Sequence, residues 1–104
     1  MDTKKRKKEL ETVFSGVKDE ERLVLQYLID DVVYLEERME ALKKLPFLKI
    51  HPTRPELQKQ TSAAKQYKEC SQSYMNAVRI LLSVLRKTDE DAAAELMKRL
   101  EDFT

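Results

Sequence analysis

Glycine occurs once in the 104 residues, at position 16, and cysteine and histidine once each, as Cys70 and His51. Those scarcities exclude whole classes of chemistry. A phosphate-cradling loop or dinucleotide fingerprint needs several glycines close together, because the backbone must approach the phosphates. A single histidine cannot build an HExxH site, and no Ser–His–Asp arrangement gains support from spacing. One cysteine cannot form an intramolecular disulfide, and a reducing cytoplasm is the expected compartment. No apolar run approaches twenty residues, so no transmembrane span is expected. The basic N-terminus is followed by no hydrophobic segment of the kind a secretory signal carries. No catalytic residue, cofactor or metal ligand is expected, and the chain does not read as an enzyme.

Proline is scarce too, but all three prolines fall in the ten residues from Pro46 to Pro55, PFLKIHPTRP. Proline lacks an amide hydrogen, fixes its own φ and pushes the residue before it out of the α region. One continuous helix through this stretch is excluded. Long helix-patterned segments run away from it on both sides, so the expected fold is all-α: a long, coiled-coil-like antiparallel hairpin with this loop at its tip. The organisation expected is a basic arm or short helix over 1–18, the hairpin over 19–87, and an acidic helix or tail over 88–104. His51, between Ile50 and Pro52, reads as a loop residue satisfied by backbone groups.

What the chain has in abundance is charge, 38% of its residues, with a net of only +1. The signs are segregated. Residues 19–42 hold eight acidic and two basic side chains, whereas residues 43–68 hold seven basic and one acidic. Folded at the prolines, such a chain is a dipolar rod with a basic tip. It suits an anionic partner there or an acidic face of another copy, unless the blocks are simply solvated helix faces. The run Lys4, Lys5, Arg6, Lys7, Lys8 repels itself and is expected to leave the first turns frayed. It reads as a solubilising or disordered terminus, or as a phosphate-seeking arm. Leu10, Val13, Phe14 and Val17 follow at helical spacing before and beyond Gly16.

In the first arm, Asp19 can cap a helix in which Leu25, Leu28, Val32, Leu35, Met39 and Leu42 alternate by three and four. Leu23, Val24, Ile29 and Val33 widen the apolar surface, and Tyr27, Tyr34 and Ala41 form a row seven apart. That is more than one partner helix covers, so Leu25, Leu28, Val32, Leu35 and Met39 are expected to form a homo-oligomer interface. Asp30–Asp31 and Glu36–Glu37 lack a histidine or cysteine to join them and read as solvated carboxylates. The second arm is expected to start at Pro55, capped by Arg54 or Thr53, with a seam of Gln60, Ala64, Tyr67, Ser71, Tyr74, Val78, Leu81 and Leu85. Cys70 lies in a small-residue row and reads as a packing thiol. The arms are roughly 23 and 30 residues, or about 35 and 45 Å long at 1.5 Å per residue, unlike a helix-turn-helix reader. Thr88 or Asp89 can start a last helix whose sparse apolar face is Leu96, Leu100 and Phe103. That helix either packs on the hairpin base or serves as an acidic docking tail.

The unit LPFLKIHPTRPELQKQTSAAKQYKECSQSYMNAVRILLSVL resembles the oligomerisation hairpin of the small terminase subunits of tailed phages, in particular small proteins of prophages in Gram-positive bacteria. His51–Pro52, Ala63–Ala64, Tyr67 and Leu81 to Leu85 carry the resemblance, which covers about residues 23–86. Two features differ from that family. Only residues 1–18 stand ahead of the hairpin where a DNA-binding domain is expected, and LLSVLRKTDED replaces a glycine-containing helix end. The resemblance implies a cytoplasmic, ring-forming homo-oligomer that recognises double-stranded viral DNA and regulates a large ATPase–nuclease subunit, without contact with a membrane. DNA would then be held by Lys4, Lys5, Arg6, Lys7 and Lys8, with Lys49, Arg54 and Lys59 as a second patch that neutralises phosphates. The competing expectation is a structural or adaptor protein that oligomerises through the hairpin and does not bind DNA.

Overall fold

The computed structural model describes the chain except Met1, Ser15, Gly16, Lys18, His51, Pro55 and Thr104, and except the side chains of Asp19 and Thr88. The expectations resting on Gly16, on the loop role of His51, and on Asp19 or Thr88 as caps lie outside the described residues.

Helix α1 spans Thr3–Glu11 and continues as one 3-10 turn, Thr12–Phe14. Asp2 caps it, its carboxylate accepting from the Lys5 amide at 3.1 Å. The lysine run is therefore helical rather than frayed, because two of its charges have carboxylate partners on the next helix. Helix α2, Asp19–Lys43, is the first arm. It tightens at its end, where the Leu45 amide donates to the Leu42 carbonyl at 3.0 Å, and Pro46 prevents continuation.

The tip is not the plain loop expected. Strands β1, Leu48–Ile50, and β2, Gln58–Gln60, form an antiparallel ribbon with Leu48 opposite Gln60, Lys49 opposite Lys59 and Ile50 opposite Gln58. Pro46 and Pro52 stand outside both strands, where they remove no ladder donor. The returning helix α3 starts only at Ser62 and runs to Thr88; the start expected at Pro55 is seven residues too early. Thr61 caps it, accepting from the Ala64 amide at 3.2 Å while donating to the Pro46 carbonyl at 2.6 Å. One residue thus fastens the neck of the ribbon to the helix. Phe47 meets Tyr67 just below, ring centroids 5.3 Å apart. At the other end Asp89 closes α3 through its amide and opens α4, Glu90–Glu101, by accepting from the amides of Asp91 and Ala92. Such a double cap makes the reversal sharp without glycine.

Helices α1 and α4 fold back along the base of the hairpin, so the base is an up-and-down four-helix bundle in the cyclic order α1, α2, α3, α4. At 1.5 Å per residue α1 and α4 reach only about 14 and 18 Å. The far half of the rod is consequently two helices and the ribbon, and the molecule extends 60 × 24 × 20 Å. Leu10, Leu25, Ile29, Val32, Leu81, Leu85 and Leu96 fill the bundle centre. Leu100 joins that core and Phe103 packs against it, so the last helix is a structural wall rather than a free tail. Cys70 is a half-buried free thiol against the same core, as its small-residue row suggests.

That closure corrects the expected oligomer interface. Leu25, Val32 and Met39 are no more than 2% exposed, and Leu28 and Leu35 are packed against the same core. Part of the surplus apolar surface of α2 is taken up by the chain's own α1, and these five residues are not available to another subunit while the bundle is closed. Ile29 and Val33 are buried with them, whereas Leu23, Val24, Tyr27 and Tyr34 stay exposed.

Candidate nucleic-acid interface

Two clusters of charge decide what the surface can hold. One is taken up by the fold and the other is open.

The first cluster is centred on Glu36, 0% exposed. It overturns the expectation of a solvated carboxylate. Arg6 grips it from α1 with two parallel bonds, Nε to Oε1 at 2.8 Å and Nη2 to Oε2 at 3.0 Å. The Tyr74 hydroxyl of α3 donates to Oε2 at 2.8 Å, and Arg6 Nη2 also donates to the Arg99 carbonyl of α4 at 3.2 Å. All four helices meet at one ion pair. Arg99 completes the tie by donating to the Glu9 carbonyl and to the Thr12 hydroxyl, placing a cation at the C-terminal end of α1 where its dipole favours one. The hydrogen bond to Glu36 pushes the Arg6 pKa up. Burial, and then the bond to Glu36, push Tyr74 well above its ordinary 10.0.

That shift has a sign. Folded Tyr74 keeps its proton where unfolded tyrosine loses it, so the stability it contributes is complete below pH 10.0 and is lost as pH rises past that value. Tyr74→Phe is expected to cost about 1–2 kcal/mol near neutrality, because Glu36 loses a donor inside the protein. The gap between wild type and variant should narrow above about pH 10, as read from urea midpoints between neutral and alkaline buffer. A gap that stays constant would contradict the assignment.

Of the expected DNA-contacting run, then, Arg6 is committed to Glu36. Lys7 is committed to Asp30 at 2.7 Å, and the hydrogen bond to Asp30 raises its pKa. Lys4, Lys5 and Lys8 remain exposed. The arm keeps three of the five free charges its sequence suggests.

The second cluster is the ribbon. Lys49 and Lys59 are directly opposite each other on one face, and neither has a carboxylate partner among the described residues. Like charges in that position repel, and an anion between them relieves the repulsion. Arg54, the third expected residue, pairs with Glu56 at 2.9 Å and is partly neutralised. Lys44, Lys65 and Lys68 are exposed along the adjoining helix ends. Lys43 lies over the rings of Tyr67 and Phe103, 5.9 and 5.6 Å from their centroids, where its charge supports the neck. Leu48, Ile50 and Leu57 are exposed beside the lysines, and a cavity of about 440 Å³ is lined by Lys49, Ile50, Pro52, Leu57, Gln58 and Lys59. The lysine pair was visible in the sequence as two separate residues, but the pairing was not, since three-residue strands, one of them Gln-Lys-Gln, carry little strand signal.

Among the described residues no cluster of His, Cys, Asp or Glu is placed to hold a metal ion, and no helix is long and apolar enough to cross a membrane. Fold and surface define a class: an all-α bundle drawn out at one end into a basic β-ribbon. No family model, no curated protein and no solved structure matches the chain.

Proposed function

We propose that this chain is a non-catalytic DNA-contacting protein of the small-terminase kind. In that reading it is a homo-oligomeric component of viral genome packaging that grips duplex DNA and works beside a large ATPase–nuclease subunit. The observation that carries the reading is the Lys49–Lys59 pair at the end of a rod whose residues 43–68 hold seven basic side chains against one acidic. The hairpin pattern of residues 23–86 supports the packaging context. Lysines without interleaved aromatics neutralise phosphates rather than read bases, so the ribbon would supply affinity and position more than sequence choice. A single chain binds weakly, and linked copies convert weak contacts into avidity. Arg6 and Lys7 have internal partners, so the ribbon leads and Lys4, Lys5 and Lys8 are auxiliary.

The test is a salt titration of duplex DNA binding. The double variant Lys49→Ala/Lys59→Ala is expected to lose at least about tenfold in affinity at low salt. Its log–log salt slope should be shallower by about 2 per bound chain, close to 0.9 for each phosphate contact removed. Replacing Lys4, Lys5 and Lys8 by alanine should cost less. The adaptor reading is favoured by a different observation, the apolar Leu48, Ile50 and Leu57 exposed on the same ribbon. Absence of any DNA binding by the wild type at low salt would select it.

A further inference from the structure

On α2 the residues Val24, Tyr27, Asp31, Tyr34, Arg38 and Ala41 succeed one another by three and four, the spacing of a helix-pairing seam, and Leu45 follows in the turn just past the helix end. All seven are exposed, with Val24, Tyr27, Tyr34 and Leu45 between 51% and 67%. This row lies on the face turned away from the buried row of Leu25, Ile29, Val32, Glu36 and Met39. It is a second seam on a helix whose first seam is already occupied; within it Arg38 donates from Nη2 to Gln66 Oε1 of α3 at 2.9 Å, which fixes the side chain and leaves its other N–H groups for a partner.

The row is also its own complement when reversed. Counting outward from Tyr34, Asp31 on one side answers Arg38 on the other, Tyr27 answers Ala41, and Val24 answers Leu45. Large meets small at one pair, acid meets base at the next, and apolar meets apolar at the ends. Charge runs the same way along the face. Glu20 and Asp31 precede Tyr34, whereas Arg38 and the basic tip follow it. A parallel pairing would set Asp31 on Asp31 and Arg38 on Arg38. Asp30 and Glu36, carboxylates that would otherwise add repulsion, already have Lys7 and Arg6 as partners.

We infer that a second copy of this chain covers the row, in an antiparallel two-fold dimer with Tyr34 at the axis and two Asp31–Arg38 ion pairs across it. Identical patches facing each other about a two-fold make a closed pair. The arrangement points the two ribbons to opposite ends of the dimer. It does not depend on DNA binding, and its test contains no DNA.

The experiment measures self-association of the full chain by light scattering and sedimentation equilibrium. Wild type is expected to have about twice the single-chain mass of 12.3 kDa at tens of micromolar. Asp31→Arg and Arg38→Asp, each placing two like-charge contacts in the dimer, should each weaken association about tenfold or more. The double variant Asp31→Arg/Arg38→Asp restores both pairs and should return to within about threefold of wild type. These positions are exposed, and circular dichroism checks that each variant is folded. In a Cys70→Ser chain, Tyr34→Cys should cross-link to itself under mild oxidation, whereas Glu37→Cys, off the row, should not. A monomeric wild type, a double variant no better than the singles, or equal cross-linking at the two positions would each overturn the proposal.

Discussion

Arg6→Ala is expected to cost about 3–5 kcal/mol, because the fully buried Glu36 carboxylate is left without its cation. A domain of this size has about 5–15 kcal/mol in total, so the variant should be largely unfolded at mild urea concentrations. The loss exceeds that of one surface charge because of what meets at the site. Arg6 closes α1 onto α2 through Glu36 and onto α4 through the Arg99 carbonyl. Without it, α1 keeps Leu10, the turn after it, the exposed Lys7–Asp30 pair and the Arg99 bonds, but loses its one buried polar tie to α2. The ion pair itself is not the source of net stability, since both charges give up water to form it. Replacing the set together, as Arg6→Met, Glu36→Leu and Tyr74→Phe, should therefore recover most of what Arg6→Ala loses. Urea midpoints of the two variants measure this, and a triple variant as unstable as the single one would contradict it.

Val32→Glu is expected to be at least as damaging, above about 4 kcal/mol, since it places an unpaired carboxylate at the centre of the bundle. Tyr34→Glu, two residues away on the same helix, should change the stability of the single chain, measured at concentrations where it does not self-associate, by less than about 0.5 kcal/mol. The contrast follows from position alone: Val32 is fully buried and Tyr34 is 64% exposed. Thermal unfolding monitored by circular dichroism separates the two. Equal tolerance at both sites would mean that α1 and α3 do not close over α2 as described.

The hairpin was legible because its signal is local. Alternating threes and fours over Leu25 to Leu42 and Ala64 to Leu85, broken by three clustered prolines, leave few other arrangements. The last helix start was legible for the same reason, narrowed to Thr88 or Asp89 with Glu90 and Asp91 behind it, and the cap is Asp89. The burial of Glu36 was not, because its partners Arg6 and Tyr74 lie 30 and 38 residues away in sequence, and a helix that shows Glu36 beside Glu37 gives no sign of which one turns inward. The width of the apolar surface on α2 was read correctly, but its cover was assigned to another subunit. The cover of the face that holds Leu25, Val32 and Met39 includes a helix whose five consecutive basic residues suggested disorder until two of them found carboxylates on α2. For the candidate site, Lys49 and Lys59 were named as a second patch near the loop on the strength of the resemblance, while the ribbon that sets them face to face depends on Thr61 holding the neck.

These contacts divide the rod into a structural end, where charges are consumed by the bundle, and a tip whose lysines are left open. Titration of the isotopically labelled chain with a short DNA duplex, followed by amide chemical shifts, tests that division most directly. The account predicts salt-sensitive shifts concentrated between Lys43 and Lys68, strongest at Lys49 and Lys59, with small changes at Lys4, Lys5 and Lys8 and none at Arg6. Shifts centred on α1 with the ribbon unmoved, or no shifts at low salt, would contradict it.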